Sequence, residues 1–288
     1  MDANLARRIA VAAVGVPAVL LFAWWGGWPL AFLLALIAVL GVSEMFTFAR
    51  TREIRPSPVL GFLAAAAFAP AAWLLASSPG FREAASGWWP FVAALWLLVL
   101  LTWALAARGP TGHPLAASAV TLLAPLYAGA LPAFLVTIRH QAYGTGSWSG
   151  AWLVFFPLVV TWVCDSFAMF GGRIFKGPKL APVVSPGKTR SGSVSGVVGA
   201  LLVAVVFGGY VFPRMGIDLP LGAALVIAAV LSVVGQVGDL VESLFKREAG
   251  LKDSGTLIPG HGGVLDRLDS LYFVIPVAAM LYRAFGII

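Results

Sequence analysis

Long apolar runs separated by short polar stretches make up most of this chain. A helix that spans a bilayer needs about 20 predominantly apolar residues. Nine runs are long enough, and we predict nine transmembrane helices at roughly 8–25, 28–48, 58–77, 88–107, 114–138, 150–172, 193–212, 220–240 and 268–287. The first run is long and no small-residue cleavage site follows it, so we expect an uncleaved helix rather than a signal peptide.

Composition supports a membrane protein and excludes a soluble enzyme. Of the 288 residues, 60% are hydrophobic and only 11% are charged, and the mean hydropathy is +0.93. We predict an all-α, polytopic integral membrane protein formed by a single domain, 1–288. Within it, 1–149 is mainly scaffold, whereas 150–288 contains the catalytic helices and cytoplasmic loops. Cys164 is the only cysteine, which excludes an internal disulfide and a cysteine-based metal site.

Lysine and arginine indicate the orientation. With the N-terminus inside and nine spans, fifteen of the nineteen lie in cytoplasmic segments, and only Arg82, Arg139, Arg214 and Arg283 lie outside. We therefore predict a multi-pass protein of the bacterial inner membrane with a cytoplasmic N-terminus. The net charge of +7 then reflects topology and contact with anionic membrane lipids, so a nucleic-acid partner is not needed to explain it.

A dense polar block, residues 243–269, interrupts the apolar pattern near the C-terminus. Its charged and polar members surround a glycine-rich turn at 259–263, and they include Lys246, Arg247, Lys252, Asp253, His261, Asp266, Arg267 and Asp269. Glycines in such a turn let backbone N–H groups approach an anion. We interpret the block as a site for phosphates and divalent metal where two transmembrane helices meet the cytoplasm. His261 is either a phosphate donor or general base, or a hydrogen-bonded turn histidine.

Helical spacing groups the polar residues just before this block. Asp239, Glu242, Ser243 and Lys246 fall within an arc of roughly 100° on one helix. The helix dipole disfavours two acids near a C-terminus, so they call for a cation: Lys246 in part, or better a divalent metal. Asp266 and Asp269 lie one turn apart at the start of the last predicted helix, where the dipole favours them.

Carboxylates from two helix ends would together provide the oxygen ligands that Mg²⁺ prefers, for one ion or more. The metal ligands we predict are Asp239, Asp266 and Asp269. Nearby cations would face phosphate oxygens, which arginine can bind in a bidentate manner. These cations are Lys246, Arg247, Lys252 and Arg267.

The sixth predicted helix and the loop after it add a second polar group. Asp165 lies five to seven residues before the helix ends, where charge is costly, and we favour a functional role over a structural salt bridge. Ala168 and Gly172 share its face and would allow close helix approach. The loop 173–192 carries five cations and no acid. Its Gly-Lys-Thr triplet is not a P-loop, because Pro182 occupies the first glycine position and no strand precedes it. A cytoplasmic anchor and a polyphosphate-binding loop both remain open.

Other polar residues receive structural interpretations. We interpret Glu44 as a charge that reaches the interface beside Arg50, since charges near helix ends cost little. His113 and His140 lie in short loops without ligand-like neighbours, and we assign them no role.

The polar block resembles a known family signature. The run Ser243-x-x-Lys246-Arg247, Lys252-Asp253-Ser254-Gly255, Ile258 to Gly263 and Asp266-Arg267-x-Asp269 is similar to that of phosphatidate cytidylyltransferases (CDP-diacylglycerol synthases). The resemblance continues upstream through Gly238-Asp239-Leu240, Asp165-x-x-Ala168, Lys179-Leu180-Ala181-Pro182 and Ser185-Pro186-x-Lys188-Thr189. It covers about the C-terminal 45% of the chain. One position departs from it, because Ser191 occupies a slot that is usually acidic in the family.

The resemblance implies that CTP and phosphatidate are the substrates and that CDP-diacylglycerol and pyrophosphate are the products, with Mg²⁺ as cofactor. The catalytic residues that it implies are Asp239, Asp266, Asp269, Lys246, Lys252 and His261. The substrate-binding residues that it implies are Asp165, Lys179, Ser185, Lys188, Thr189, Ser243, Arg247 and Arg267. The alternatives are another CTP-dependent lipid enzyme, such as a polyprenol or dolichol kinase, and a secondary transporter. Charges confined to one membrane face disfavour the transporter. The sequence leaves a homodimer open.

Overall fold

The computed structural model describes residues 15, 17–255, 257 and 262–288. Residues 17–25 are helical. Ten further helices follow in chain order: α1 (Gly27–Arg50), α2 (Pro58–Ser77), α3 (Pro79–Ala85), α4 (Trp89–Ala107), α5 (Pro114–His140), α6 (Trp148–Phe175), α7 (Arg190–Arg214), α8 (Leu221–Glu248), α9 (Leu265–Leu268) and α10 (Leu271–Ala284). Two short strands, β1 (Lys179–Ala181) and β2 (Ser185–Thr189), lie between α6 and α7.

Seven of the described helices are long and apolar enough to cross a membrane: α1, α2, α4, α5, α6, α7 and α8. The chain is therefore a multi-pass, all-α membrane protein, as the apolar runs predict. The run at 8–25 lies partly outside the described residues. The last helix, α10, has 14 residues, so it rises only about 21 Å, less than a bilayer core. The total of nine spans stays a prediction.

Contacts between helix ends show that successive spans run in opposite directions. At one end, the Arg52 guanidinium donates to the Glu248 carbonyl and that of Arg108 donates to the Arg55 carbonyl. At the other end, the Ser149 hydroxyl donates to the Met215 carbonyl at 2.8 Å. The segments that we predict on one side of the membrane thus meet at one end of the bundle.

Arg139 and His140 differ from their predicted place in a short outer loop. Both belong to the last turn of α5, and Arg139 is fully buried. Its guanidinium donates to the carbonyls of Ala23 at 2.8 Å, Trp24 at 2.7 Å and Gly144 at 3.0 Å. His140 Nε2 accepts from the Gly27 N–H at 2.8 Å. A charge in an apolar bundle is stable only when such partners replace water, so these residues join the first helices to α5.

Small residues bring α6 and α7 into close contact, as predicted for Ala168 and Gly172. A Cβ atom on Gly192 would lie 2.6 Å from the Ala168 carbonyl oxygen, and one on Gly172 would lie 2.8 Å from Thr189 Oγ1. Substitution at Gly192 would force the helices apart, and substitution at Gly172 would displace the side chain of Thr189. This packing holds the start of α7 against the Asp165 face of α6.

The basic loop after α6 is an antiparallel hairpin, which the sequence does not predict. Lys179 pairs with Thr189 and Ala181 with Ser185. Its second strand leads directly into α7, so backbone pairing fixes the direction of Lys188 and Thr189.

Candidate functional site

A cavity of about 900 Å³ opens where α6, the hairpin, α7, α8 and the α9 segment meet. Its charged lining consists of four acids and five cations: Asp165, Asp239, Asp266 and Asp269, with Arg173, Lys176, Lys179, Lys188 and Arg267. Thr189, Gln236 and Ser193 add uncharged polar groups. A cavity with this mixture of charges fits a polyanion accompanied by cations.

The hairpin supplies the basic wall. Thr189 is the N-cap of α7 and its Oγ1 accepts from the Gly192 N–H at 3.1 Å, as threonine does at many helix starts. Ser191, at the position where the family signature is usually acidic, donates its hydroxyl to the Lys176 carbonyl. This bond ties α7 to the backbone that follows α6, where Lys176 has a positive φ of 54°.

The end of α8 supplies the acidic wall. Asp239 Oδ2 lies 2.5 Å from Lys188 Nζ, and Asp239 Oδ1 accepts from the Ser243 hydroxyl at 3.3 Å. Glu242 and Lys246 also pair one turn apart. These four residues of α8 share one face, as their spacing predicts. The α8 helix continues to Glu248, eight residues beyond the predicted end at 240, which extends this face as far as Lys246.

Lys246 occupies an internal position between two acids. Its Nζ lies 2.6 Å from Asp266 Oδ1 and 3.1 Å from Glu242 Oε1. The second contact is an ion pair without hydrogen-bond geometry, and among the described residues neither Glu242 carboxylate oxygen has a hydrogen-bond partner. The Lys246 side chain is 12% exposed and that of Glu242 is fully buried. Lys246 thus joins α8 to the α9 segment instead of lining the cavity.

Asp266 is the most heavily bonded acid of the site. Its Oδ2 accepts from the Ser254 N–H at 2.7 Å and from the Gly263 N–H at 3.0 Å. Burial alone would raise the pKa of Asp266, but the bonds from Lys246, Gly263 and Ser254 outweigh it and lower the pKa below its ordinary value. Asp266 is therefore held as a carboxylate at neutral pH.

Asp269 is in a different electrostatic environment. It follows α9, and its Oδ1 accepts from the Ser270 N–H at 2.6 Å. Burial, and then the nearby Asp239 carboxylate, raise the pKa of Asp269 to about 6. The sequence predicts both acids at the start of the last long helix. In the structure, Asp266 instead lies in the four-residue helix α9 and Asp269 lies just after it.

Crowded carboxylates fit a divalent cation chemically. Asp165, Asp239 and Asp269 line one cavity, and repulsion from Asp239 is among the causes that raise the pKa of Asp269. Within the described ranges, however, no three acids, histidines or cysteines are close enough to ligate one ion together. Lys188 and Lys246 pair with Asp239 and Asp266 instead. The assignment of Asp239, Asp266 and Asp269 as metal ligands stays a prediction.

Several predicted site residues lie away from the cavity. The exposed Arg247 donates to the carbonyls of Val184 and Leu251, both at 3.3 Å, and so connects α8 to the hairpin. Lys252 is exposed after α8, and Ser185 begins β2. His261 lies outside the described residues. Arg247, Lys252 and Ser185 do not line the cavity, whereas the structure does not test the place of His261.

The interpretation of Glu44 as a charge at the interface is wrong. Glu44 is only 9% exposed. Its Oε1 accepts from the Val264 N–H at 2.8 Å, and its Oε2 accepts from the Leu265 N–H at 2.9 Å and the Ser254 hydroxyl at 2.7 Å. The side chain therefore points into the bundle and binds the backbone next to Asp266. A carboxylate inside a helix that is otherwise almost wholly apolar marks Glu44 as unusual, but it does not show in which direction the side chain points.

A charged cavity of about 900 Å³ at one end of a membrane bundle is typical of a membrane protein that acts on anionic substrates. The cytidylyltransferase family model matches residues 6–285, so the chain belongs to the cytidylyltransferase family. The match includes the N-terminal half, which the resemblance in the sequence does not reach.

Individual relatives agree with the family. The chain is 33% identical to a phosphatidate cytidylyltransferase of Haemophilus influenzae over 96% of this chain and 98% of that protein. It is 46% identical to one of Staphylococcus saprophyticus over 46% of this chain and 49% of that protein. It is 40% identical to one of Bacillus subtilis over 57% and 58%, respectively.

Proposed function

We propose that this protein transfers CMP from CTP to phosphatidate, giving CDP-diacylglycerol and pyrophosphate. The observation that carries the proposal is the cavity in which five cations and four acids meet beside the family signature. The names of the relatives point to the same reaction.

The reaction requires electrostatic stabilisation of the phosphates more than it requires a strong base. An oxygen of the phosphatidate phosphate attacks the α-phosphorus of CTP, and the bond between that phosphorus and the oxygen bridging to the β-phosphate breaks as pyrophosphate leaves. The nucleophile is already an anion, so the barrier lies in bringing two anions together. Lys188, Arg267 and the hairpin cations would offset this repulsion and orient the phosphates.

We further propose Mg²⁺, as one ion or more, as cofactor, with Asp239, Asp266 and Asp269 as ligands once Asp239 and Asp266 exchange Lys188 and Lys246 for the metal. Bound there, Mg²⁺ would neutralise charge on the transferred phosphate. The carboxylate chemistry of the cavity supports this assignment, because oxygen ligands and substrate phosphates are what Mg²⁺ prefers. Lys188 would then exchange Asp239 for a phosphate oxygen.

We propose that the cavity faces the cytoplasm of a bacterial cell, with the N-terminus on the same side of the inner membrane. The excess of lysine and arginine in the segments at that end supports this orientation. CTP is a cytoplasmic nucleotide, whereas phosphatidate resides in the membrane, and a cavity at the membrane face would admit both.

The test uses purified protein in lipid with labelled CTP, Mg²⁺ and either phosphatidate or a polyprenol, with products identified by mass. We expect a CMP-containing lipid and pyrophosphate from phosphatidate alone. A phosphorylated polyprenol with release of CDP would show a kinase instead. No product from either lipid, in protein that elutes as a single folded species, would refute the proposal. Omission of Mg²⁺ in the presence of a chelator should abolish the product.

A further inference from the structure

Glu44 reaches the functional site from the half of the chain that the sequence assigns to scaffold. It lies on α1, six residues before the helix ends at Arg50. Its two carboxylate oxygens accept from the N–H groups of Val264 and Leu265 at 2.8 and 2.9 Å. Bonds from backbone N–H groups to a buried charge are among the stronger kinds in proteins, so the backbone next to Asp266 is fixed to α1.

Ser254 extends this contact to Asp266 itself. Its Oγ lies 2.7 Å from Glu44 Oε2 and 2.9 Å from Asp266 Oδ2. A hydroxyl has one hydrogen to donate, so it bonds one carboxylate at a time and lies between the two. The Ser254 N–H also donates to Asp266 at 2.7 Å. Glu44, Ser254 and Asp266 thus form one buried network.

The backbone approaches Glu44 so closely that glycine is required beside it. A Cβ atom on Gly263 would lie 2.5 Å from the carboxyl carbon of Glu44, and one on Gly255 would lie 3.1 Å from Glu44 Oε1. Gly262 has a φ of +80°, and a Cβ there would lie 2.5 Å from Asp266 Oδ2. The chain on both sides of the network is therefore shaped to the two carboxylates, which a charge at the interface would not require.

We propose that Glu44 is a positioning residue of this enzyme. It does not line the cavity, but it fixes the backbone from which Asp266 and Arg267 enter the cavity, and so it would determine how CTP is bound. The inference rests on the proposed function. A displacement of about 1 Å at a reacting centre can cost on the order of 100-fold in rate, so loss of this anchor should reduce catalysis more than it reduces folding.

The central variant is Glu44→Gln, which keeps the length of the side chain. One of its terminal atoms becomes an NH₂ group that faces a backbone N–H, so one of the two bonds is replaced by repulsion. We expect kcat/KM for CTP to fall at least 10-fold. We also expect CTP to raise the melting temperature less than it does in the wild type, which measures binding independently of turnover. Glu44→Asp retains the charge, and its kcat/KM and its response to CTP should lie between those of the wild type and of Glu44→Gln.

Two controls separate positioning from stability. Thr121→Val removes a buried hydroxyl that accepts from the Ser57 N–H at 2.9 Å, outside the cavity lining, and should lower the melting temperature with unchanged kcat/KM. Glu53→Gln changes an exposed acid near the same end of α1 and should alter neither the melting temperature nor kcat/KM. All assays run well below the melting temperatures. If Glu44→Gln does not fold, Ser254→Ala, which leaves both backbone bonds to Glu44 in place, should still lower kcat/KM several-fold.

The outcomes distinguish the two proposals. An active wild type with a Glu44→Gln variant that loses stability like Thr121→Val and keeps its kcat/KM and CTP response would overturn the positioning role alone. The same conclusion would follow from unchanged kcat/KM in Ser254→Ala. A folded wild type without cytidylyltransferase activity would overturn the proposed function, and the positioning role with it.

Discussion

Lys246 provides a sharp test of how the α9 segment is held to α8. We consider Lys246→Met, which keeps most of the apolar stem and removes the charge. The ammonium lies 2.6 Å from Asp266 and 3.1 Å from the fully buried Glu242. Its loss leaves Glu242 without its compensating charge inside the bundle, whereas Asp266 keeps its bonds from Ser254 and Gly263.

The expected cost follows from these contacts. Removing one partner of a buried ion pair destabilises proteins by about 3–5 kcal/mol. The lower end applies here, because Asp266 retains other donors and Lys246 is 12% exposed. At about 2–4 °C per kcal/mol for chains of roughly this size, a loss of about 3 kcal/mol lowers the melting temperature by roughly 6–12 °C.

Tryptophan fluorescence during heating in detergent measures this loss, since the chain has 11 tryptophans. The exposed Lys252→Met is the matched control and should shift the melting temperature by no more than about 2 °C, since surface changes fall within about 0.5 kcal/mol. The double variant Lys246→Met/Glu242→Gln removes the stranded charge and should recover at least half of the loss. The reasoning is refuted if Lys246→Met matches Lys252→Met, or if the double variant is no more stable than the single one.

Two further predictions concern orientation and the Lys188–Asp239 pair. The orientation can be tested with single cysteines in a Cys164→Ser background. Val183→Cys, at a hairpin position that is 88% exposed, should react with impermeant thiol reagents only from the cytoplasmic side, whereas Ser86→Cys should react only from outside. The reverse labelling pattern would invert the proposed orientation. Lys188→Met and Asp239→Asn should each lower turnover by about 100-fold or more if both residues act on the transferred phosphate. The double variant should then be scarcely slower than either single variant, because the effects of substituting residues that act as a unit are not additive. Small losses that multiply in the double variant would show that the two residues act independently in turnover and would refute the shared role.

The apolar runs predict the bundle well, because length and hydropathy alone determine which segments can span a membrane. The face of α8 is equally predictable, since 100° per residue brings Asp239 and Ser243 together on any helix. The end of α8 is less predictable, because the apolar run ends near residue 240 whereas the helix continues to Glu248 with its polar face toward the hairpin and α9.

Glu44 and Arg139 show a different limit. Each lies near a helix end, where a charge can reach water at small cost, and nothing local says whether it turns outward or inward. The answer depends on which backbone groups of distant segments need a partner: Val264 and Leu265 for Glu44, and Ala23 and Trp24 for Arg139. Long-range partners of this kind are not visible in spacing.

The contact between Lys188 and Asp239 has a thermodynamic consequence. Any cation that binds Asp239 must displace the Lys188 ammonium group, which lies 2.5 Å away. The apparent affinity of the cation therefore includes the cost of breaking this ion pair. The displaced lysine remains at the same cavity and is then free to attract an anion. Binding of the cation therefore favours binding of the anion, and linkage makes the effect reciprocal. The ion pair thus couples the arrival of the two ligands without any movement of a helix.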